Sequence, residues 1–329
     1  MTPSAVIRGT GHYTPPNILT NADFERMVDT SNEWIVERTG IRERHVLNGD
    51  RKLASSDMAV EAARQALDDA RMSPDELDAI LIATVTPDYV VPSTATVVQH
   101  KLGVGRAAVM DIVAACAGFI YGLAVARAFI LSGTYRNVLV VGVEYLTSIT
   151  NYQDRNTCVL FGDGAGAAIL VPGSDDSGPL AAHWGGDGNL APLLYQPAGG
   201  TRIPFSAQVL HDMSHTVHME GNSVFKHAVR AMGDVAVKAL KDAGLSVEQV
   251  KLIIPHQANL RIMEAVRSRI GYPREQQFEV VEKYGNMSAA TIPICLDEAR
   301  RQGRIQDGDT ILMTAFGTGF TWAASVWRW

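Results

Sequence analysis

The stretch Asp111–Gly133 reads DIVAACAGFIYGLAVARAFILSG. Its pattern predicts a short buried strand over Ala107–Val113, followed by a helix that is apolar on every face from Ala115 to Ser132. Gly133 provides the C-terminal stop of that helix. Because a helix that is apolar all round must be covered on all sides, the stretch predicts a layered fold with an internal helix.

One cysteine, Cys116, lies at the predicted turn between strand and helix, among small residues that would let a ligand approach closely. A free thiol has a pKa near ~8.5, and a helix N-terminus stabilises an anion by roughly 0.3–2 kcal/mol. This position is typical of a nucleophile. A buried intracellular cysteine more often packs as a small hydrophobic residue, so this stretch supports both interpretations equally.

Composition limits the classes of protein that the chain can belong to. Its 329 residues, 47% of them hydrophobic, fit one large globular domain or two medium ones. The 29 basic and 35 acidic residues give a net charge of −6, which argues against general nucleic-acid binding. Cys116, Cys158 and Cys295 lack metal-ligand spacing, so we expect a reducing compartment, no disulfide framework and no metal site.

Neither the N-terminus nor the apolar helix predicts a role at a membrane. The opening residues MTPSAVIRGTGHY lack the basic start and the long apolar core of a signal peptide. Arg127 lies inside the apolar run, which argues against an ordinary membrane span. We therefore expect a cytoplasmic protein.

The second half of the chain repeats the first at a constant offset, the one that places Ala66 on Ala239. Ala66–Ala83 reads ALDDARMSPDELDAILIA, and Ala239–His256 reads ALKDAGLSVEQVKLIIPH. Cys116 falls on Ala289 at the same offset. Unrelated helix–loop–strand units can also look alike, but two segments that match at one offset favour a duplication.

Two similar halves rich in βαβ units would pack their sheets against shared central helices. The composition of Ser174–Gly178 is typical of a linker, which divides the chain into residues 1–175 and 176–329. Equivalent loops would then meet near a pseudo-two-fold axis. Cys116 would come from the first half, and His256 and Asn286 from the second.

Three further motifs could carry chemistry, and each also has a structural interpretation. His256 in KLIIPHQANL follows an apolar strand, where a lone histidine is usually structural. Asn286 in EKYGNMSAAT precedes a predicted helix, where asparagine is most often a cap. The turn AFGTGFTW could offer backbone N–H groups to a ligand oxygen or form a hairpin. FGDGAGA lacks a following helix, so we interpret it as a structural turn.

A cysteine, a histidine and an asparagine in one pocket indicate acyl-thioester chemistry. A hydrolase and a transferase that makes a carbon–carbon bond both fit, and residue spacing alone does not separate them.

The chain resembles the β-ketoacyl-acyl carrier protein synthase III family of the thiolase superfamily nearly end to end. The motifs that carry the resemblance are, in order, NADFERMVDTSNEWIVERTGIRERHV, AACAGF, FGDGAGAAIL, PHQAN, YGNMSAAT and FTW. It implies an α/β fold of five layers, αβαβα, with two thiolase-like halves in a homodimer. It also implies a decarboxylating Claisen condensation of an acyl-CoA starter with malonyl-acyl carrier protein, which initiates fatty acid biosynthesis. No cofactor is implied, because CoA is a substrate carrier.

The resemblance also implies roles for the motif residues. Cys116 takes the acyl group, His256 and Asn286 assist decarboxylation, and the backbone N–H groups of Cys116 and Thr318 form the oxyanion hole. Thr318 stands where the family often has glycine. A set of further positions matches family residues for the CoA nucleotide end (Trp34, Arg38, Arg155), pantetheine (Asn259), acyl carrier protein docking (Lys226, Arg261) and the starter pocket across the dimer (Val91).

Alternatives to this function remain open at this stage. A related condensing enzyme or an acyltransferase of secondary metabolism could use the same residues. A cysteine hydrolase or a non-catalytic acyl-CoA-binding relic belongs to a different class. The intact Cys-His-Asn set argues against a relic, and the duplicated halves with PHQAN and GNMSA argue against a hydrolase.

Overall fold

The computed structural model describes residues 4–47, 52–173 and 177–329. The strands are β1 (Ser4–Tyr13), β2 (Asn17–Thr20), β3 (Glu43–Val46), β4 (Ala79–Ala83), β5 (Ala108–Ile112), β6 (Val138–Tyr145), β7 (Asp163–Gly173), β8 (Gly178–Gly186), β9 (Leu194–Tyr195), β10 (His218–Met219), β11 (Leu252–Pro255), β12 (Thr310–Gly317) and β13 (Thr321–Arg328). The helices are α1 (Asn21–Met27), α2 (Asn32–Thr39), α3 (Ser55–Ala70), α4 (Thr94–Leu102), α5 (Gly118–Leu131), α6 (Ala207–His211), α7 (Gly221–Asp242), α8 (Leu260–Ile270), α9 (Val281–Tyr284) and α10 (Thr291–Arg301).

Two mixed sheets form the frame of the molecule. The first has the order β1-β7-β6-β4-β5, and the second has the order β11-β12-β13-β8. Strand β4 pairs in parallel with β5 and β6, and β11 pairs in parallel with β12. The sequence of β4, AILIA, is apolar at every position because both faces of the sheet are covered.

The helices and sheets alternate in five layers. Along β6, Val138 and Val140 belong to an inner core with residues of α5 and α10, whereas Leu139 and Val141 belong to an outer core with residues of α3 and α4. A third core joins α7 to the outer face of the second sheet. The order is therefore α3/α4, first sheet, α5/α10, second sheet, α7, which confirms the predicted αβαβα arrangement.

The internal duplication is visible in the element bounds. The short 3₁₀ turn Pro74–Glu76 before β4 corresponds to Val247–Gln249 before β11, and Ala115–Ala117 before α5 corresponds to Ser288–Ala290 before α10. Both pairs of turns keep the offset found in the sequence. The strand orders β1-β7-β6-β4 and β8-β13-β12-β11 also correspond, so the two halves share one topology. The predicted boundary between residues 175 and 176 lies outside the described residues.

Two predictions about the central stretch are wrong in detail. Strand β5 is not buried, because it lies at the edge of its sheet and leaves Met110 and Val113 exposed. Helix α5 is covered all round only in its first turns, and further along Arg127 and Ala128 face solvent where the helix emerges from the middle layer. None of the helices in the described ranges is both long and apolar enough to cross a lipid bilayer.

Candidate active site

Cys116 lies in the sharp turn that joins β5 to α5. Ala115 has a left-handed φ of 46°, which is uncommon for a residue with a Cβ, and α5 begins two residues after the cysteine. Cys116 is 9% exposed and lines the main cavity of the molecule. The strained turn therefore holds the sulfur at the cavity wall rather than inside the core.

The surroundings of Cys116 keep its thiol protonated. Burial raises the pKa of Cys116 to about 12, a hydrogen bond with Ser288 opposes this rise, and the charge of the Glu144 carboxylate adds to it. The Cys116 N–H at the helix N-terminus lowers the pKa of the thiol, in the expected direction, but the loss of water around the sulfur raises this pKa by more. A proton acceptor is therefore needed when the thiol reacts.

Two backbone N–H groups converge beside the sulfur. Those of Cys116 and Thr318 both lower the pKa of the thiol, so both favour a negative charge at this point. A Cβ on Gly317 would lie 2.6 Å from the Cys116 nitrogen, so only glycine lets the two loops approach this closely. The left-handed positions of this loop are Gly319 and Phe320, and Thr318 therefore fits without strain. This geometry suits the predicted oxyanion hole.

His256 follows β11 and is held through its backbone and its ring. Its N–H donates to the Thr314 carbonyl at 2.8 Å, and its ring Nδ1 lies 2.8 Å from the Thr291 hydroxyl oxygen. Burial lowers the pKa of His256 to about 3, so the imidazole is neutral at physiological pH. Since Thr291 occupies Nδ1, Nε2 is the ring nitrogen available to the cavity.

Asn286 lies where the two halves of the chain meet. Its N–H donates to the Leu160 carbonyl at 2.8 Å, and the Gly162 N–H donates to the Asn286 carbonyl at 3.0 Å. The Ser288 N–H donates to Asn286 Oδ1 at 2.9 Å. Because Oδ1 is already an acceptor in that bond, the amide presents its Nδ2 donors as the free end of the side chain.

The structure brings Cys116, His256, Asn286 and Thr318 to one cavity of about 570 Å³. Trp34 lines the same cavity nearer the surface, between walls that are largely apolar. A volume of this size accepts an extended small molecule rather than a folded polypeptide. The catalytic candidates therefore form the floor of a binding cavity.

The three residues predicted to hold the CoA nucleotide end lie together. The guanidinium carbons of Arg38 and Arg155 lie 5.5 and 5.2 Å from the centre of the Trp34 ring. Arg155 also donates from Nη1 to the Asp29 carbonyl at 2.7 Å. An aromatic ring with two cations beside it offers stacking and phosphate contacts on one surface.

Asn259 and Arg261 line the same cavity, and Lys226 follows Phe225, which also lines it. Asn259 lines the cavity and also caps α8, since its Oδ1 accepts from the Ile262 N–H at 2.9 Å. Lys226 on α7 and Arg261 on α8 are exposed, and the Arg261 guanidinium carbon lies 5.9 Å from the centre of the Phe225 ring. The roles predicted for these residues stay predictions.

Val91 lies on the surface of its own chain. It is 84% exposed, and its neighbours Tyr89 and Val90 are 58% and 92% exposed. It is not among the residues that line the main cavity within the described chain. A role in the starter pocket therefore depends on a second copy of the chain, and it stays a prediction.

Sequence reasoning did not single out Glu144, Ser288 or Thr291. Glu144 is fully buried at the end of β6, and Ser288 and Thr291 lie in the turn after Asn286. The available signal for Glu144 is the single charged residue that ends the apolar strand VLVVGVEY. Ser288 and Thr291 gave no such signal, because small polar residues are common at helix starts.

Two family models match the chain. The model for 3-oxoacyl-[acyl-carrier-protein (ACP)] synthase III matches residues 110–188, and the model for the C-terminal part of that family matches residues 240–329. The first match contains Cys116, and the second contains His256, Asn286 and Thr318.

Relatives and solved structures match the whole chain. A β-ketoacyl-[acyl-carrier-protein] synthase III from Caldanaerobacter subterraneus subsp. tengcongensis is 51% identical over 326 residues, which are 99% of this chain and 98% of that protein. Crystal structures of 3-oxoacyl-[acyl-carrier-protein] synthase III from Aquifex aeolicus and from Thermus thermophilus are 45% and 43% identical, each with a TM-score of 0.92. The first covers 99% of this chain and 100% of its own, and the second 98% and 99%. The chain belongs to the β-ketoacyl-[acyl-carrier-protein] synthase III family.

Proposed function

We propose that this chain condenses an acyl-CoA starter with malonyl-acyl carrier protein and so initiates fatty acid biosynthesis. The observation that supports this proposal is the set of groups on the cavity floor: one thiol, two backbone N–H groups beside it, a neutral imidazole and a side-chain amide that faces the cavity. This set serves acyl transfer followed by a decarboxylation that needs hydrogen-bond donors rather than a base.

In the first half-reaction, the Cys116 sulfur attacks the carbonyl carbon of the acyl-CoA thioester. The tetrahedral oxyanion accepts hydrogen bonds from the N–H groups of Cys116 and Thr318, which are fixed in place before the reaction begins. The carbon–sulfur bond to CoA breaks, and CoA leaves as a thiol with the proton that Cys116 gave up. An acyl-cysteine remains.

In the second half-reaction, the malonyl thioester carbonyl accepts hydrogen bonds from His256 Nε2 and Asn286 Nδ2. These donors stabilise the enolate that forms as carbon dioxide leaves. The Thr291 hydroxyl donates to the Ser288 carbonyl at 3.0 Å in the structure and lies 2.8 Å from Nδ1 of His256. In this step it would turn to donate to Nδ1, so that the ring proton is on Nε2. The carbanion attacks the acyl-cysteine, the carbon–sulfur bond to Cys116 breaks, and the β-ketoacyl thioester departs. No step is routed through a metal or a redox cofactor.

The position of His256 argues against the hydrolase alternative. In a cysteine hydrolase, the histidine takes the thiol proton and an asparagine or aspartate orients its ring. Here Thr291 orients the ring, and burial lowers the pKa of His256 to about 3, which makes it a poor base. Asn286 is fixed by Ser288 instead of by the histidine.

The substrates would enter from the surface end of the cavity. The Trp34 ring with Arg38 and Arg155 would hold the CoA nucleotide end, and Asn259 would contact the pantetheine arm. Exposed basic side chains beside the opening would attract an acidic carrier protein. The residues proposed for that docking are Lys226 and Arg261.

A homodimer would complete this site. Strand β5 is an edge strand, and its residue Met110 and the following Val113 are 40% and 78% exposed. The exposed segment Tyr89–Val91 leads into α4, whose first N–H, that of Thr94, donates to Asp111 of β5 at 2.7 Å. An apolar edge is protected when two copies pair across a two-fold axis, and this pairing would bring Val91 towards the partner's cavity.

The test follows both half-reactions by mass spectrometry of the intact protein. Incubation with a series of acyl-CoA thioesters should add one acyl group at Cys116, and malonyl-acyl carrier protein should then remove it as β-ketoacyl-acyl carrier protein with release of carbon dioxide. Release of the free acid would instead support a hydrolase, and transfer to an oxygen or a nitrogen would support another acyltransferase.

A further inference from the structure

The proposed acyl transfer leaves one proton without an acceptor. The thiol is protonated because burial raises the pKa of Cys116 to about 12. His256 is a poor base in its buried position, and Asn286 has no basic atom. The ionisable group whose charge acts on the Cys116 thiol is the Glu144 carboxylate.

A hydroxyl group connects the thiol to that carboxylate. The Ser288 hydroxyl donates to Glu144 Oε1 at an oxygen–oxygen distance of 3.0 Å, lines the same cavity as the Cys116 thiol, and lowers the pKa of that thiol. Both Ser288 and Glu144 are buried, at 3% and 0% exposure. When the Ser288 proton points to Glu144, the Ser288 oxygen has a lone pair free for the thiol proton.

The carboxylate is held in place by donors from other parts of the first half. The Thr86 hydroxyl donates to Glu144 Oε2 at 2.7 Å, and the Val85 N–H donates to the same oxygen at 3.1 Å. Thr84 adds a longer bond at 3.3 Å. With Ser288, these donors fix the carboxylate in one orientation, and Oε1 faces the turn that carries Ser288.

We propose that Glu144 accepts the proton of Cys116 through the Ser288 hydroxyl during acyl transfer. The inference rests on the proposed acyl transfer to Cys116. Glu144 touches neither substrate nor sulfur directly, so it is a positioning residue that acts through Ser288.

The proton and the bonds balance in this step. The S–H bond of Cys116 breaks as an O–H bond forms on Ser288, and the original Ser288 proton moves to Glu144. The sulfur electron pair forms the new bond to the acyl carbon, and the bond from that carbon to the CoA sulfur breaks. The proton then returns from Glu144 through Ser288 to the departing CoA sulfur, so that CoA leaves as a thiol.

The charged state of Glu144 suits this role near neutral pH. Burial raises its pKa to about 7, against hydrogen bonds from Thr86, Val85, Ser288 and Thr84 that lower it. The titratable group that faces it from the Cys116 turn is the thiol. The loop that contains residues 84–86 offers hydroxyl and backbone donors, and the turn Ser288–Ala290 offers the Ser288 hydroxyl and is joined to His256 through Thr291.

The experiment measures the single-turnover rate of Cys116 acylation by acyl-CoA between pH 5.5 and 9.5. The wild type should lose rate below about pH 7, as Glu144 becomes protonated. Glu144→Gln should lower the rate at pH 8 by about 10²-fold and remove this acid limb. Ser288→Ala should cause the same loss of rate and of pH dependence, although the Glu144 carboxylate is still present. Alanine can adopt the left-handed φ of this position, because Ala115 has it at the equivalent position of the first half.

Asp163→Asn is the matched control. Asp163 is a buried carboxyl that accepts from the Leu47 and Thr147 N–H groups, burial raises its pKa to about 6, and it does not bond to the Ser288 turn. The Asp163→Asn enzyme should still lose acylation rate at acid pH. Glu144→Asp keeps a carboxyl group, so it should show part of the same loss, unlike Glu144→Gln.

Two results would overturn the proposal. If Glu144→Gln is acylated faster than the wild type at every pH, the carboxylate only opposes formation of the thiolate. If it is acylated more slowly but the rate still falls at acid pH, Glu144 has a structural role. If the wild type is not acylated by any acyl-CoA, the proposed function fails instead. In that case the proton transfer to Glu144 is tested by the rate of Cys116 alkylation by iodoacetamide. If the thiol is coupled to Glu144, the wild-type rate should fall at acid pH, and this fall should be absent in Glu144→Gln and Ser288→Ala.

Discussion

The turns Ala115–Ala117 and Ser288–Ala290 have the same backbone but different functions. Each is one turn of 3₁₀ helix that leads into a central helix, and the first residue has φ of 46° in one and 44° in the other. The middle residue is the nucleophile candidate Cys116 in the first turn and Ala289 in the second. A strained turn is therefore part of the inherited frame, and the reactive sulfur was placed on only one of its two copies.

The other catalytic candidates also occur in only one half of the chain, but for them it is the second half. At the offset that places Cys116 on Ala289, His256 corresponds to Ala83 and Asn286 corresponds to Val113. Ala83 is fully buried and Val113 is 78% exposed, so neither lines the cavity. The first half supplies the sulfur and the second half supplies the imidazole and the side-chain amide, so the two halves contribute different groups to one cavity.

The largest expected effect comes from removing the sulfur. Cys116→Ala should abolish acyl labelling by acyl-CoA, because the thiol is the only nucleophile candidate in the turn. Cys158→Ala and Cys295→Ala should keep the label, since both thiols are buried away from the cavity. Intact-protein mass spectrometry measures the label, and an acyl adduct on the Cys116→Ala protein would refute this assignment.

The double variant Cys116→Ala, Ala289→Cys sharpens the comparison between the turns. It moves the thiol to the equivalent position of the second half. Ala289 is 1% exposed and its carbonyl lies against Gly142, so we expect no acyl label. Labelling there would mean that the turn alone, without its cavity, is enough for reactivity.

The second prediction separates the functions of the two halves. His256→Ala or Asn286→Ala should lower malonyl decarboxylation by about 10²–10³-fold, because each removes a donor to the developing enolate. Acyl transfer to Cys116 should change much less, since its oxyanion is held by backbone N–H groups. Rapid-quench assays measure each half-reaction separately, and equal losses in both would contradict these roles.

The sequence predicted the frame better than the environment of the site. The constant offset gave the two similar halves and the half that carries Cys116, His256 and Asn286, and the family resemblance gave the five layers. They did not give the raised pKa of Cys116, because the pKa depends on packing and on Glu144, which belongs to a different strand of the sheet. The edge position of β5 was also missed, since an apolar edge strand has the same residue pattern as a buried one.

The third prediction tests whether a second copy completes the site. If Val91 of the partner subunit closes the starter pocket, its small side chain leaves room for an acyl chain longer than acetyl. One or two well-packed methylenes, at roughly 0.8 kcal/mol each, give a preference of about 10- to 200-fold. Val91→Phe should shift this preference towards acetyl-CoA, whereas Val90→Phe next to it should not.

Acylation rates with acetyl-, butyryl-, hexanoyl- and octanoyl-CoA measure this preference. A wild type that prefers acetyl-CoA, with no change in Val91→Phe, would exclude Val91 as the gate. The predicted dimer can be measured on the same samples by light scattering. We expect Val113→Asp to weaken it, because the change places a charge on the exposed end of strand β5.

The fourth prediction concerns stability at the junction of the halves. Asp297 on α10 accepts from the Thr10 hydroxyl at 2.7 Å and from His12 Nδ1 at 2.6 Å, whereas its equivalent in α5 is Ala124. Burial alone would raise the pKa of Asp297, but bonds from His12, Arg301 and Thr10 lower it from 3.8 to about 2.

A lowered carboxyl pKa stabilises the fold above the unfolded value near 3.8, and this contribution disappears as the pH falls through 2. The shift corresponds to about 2 kcal/mol. Asp297→Asn should therefore lower the free energy of unfolding in urea at pH 7, and the gap to wild type should close towards pH 2. Asp242→Asn, an exposed control, should change little, and a gap that does not depend on pH would contradict the ionic explanation.

The smallest effect is expected from two exposed basic residues of the second half, Lys226 and Arg261, which are called the basic rim below. At the same offset between the halves, Lys226 and Arg261 correspond to Leu53 and Asp88, so the first half has no basic residue at these two positions. Exposed ion pairs contribute about 0.2–1 kcal/mol each, so Lys226→Glu and Arg261→Glu should each slow reaction with malonyl-acyl carrier protein by a few-fold. Reaction with acyl-CoA should be nearly unchanged.

Lys241→Glu makes the same charge change on α7 at about 22 Å from Lys226 along the helix, and it should leave both reactions unchanged. The difference between rim and control should grow at low salt, where charges are screened least. An equal loss with both substrates would instead place Lys226 and Arg261 in CoA binding or folding.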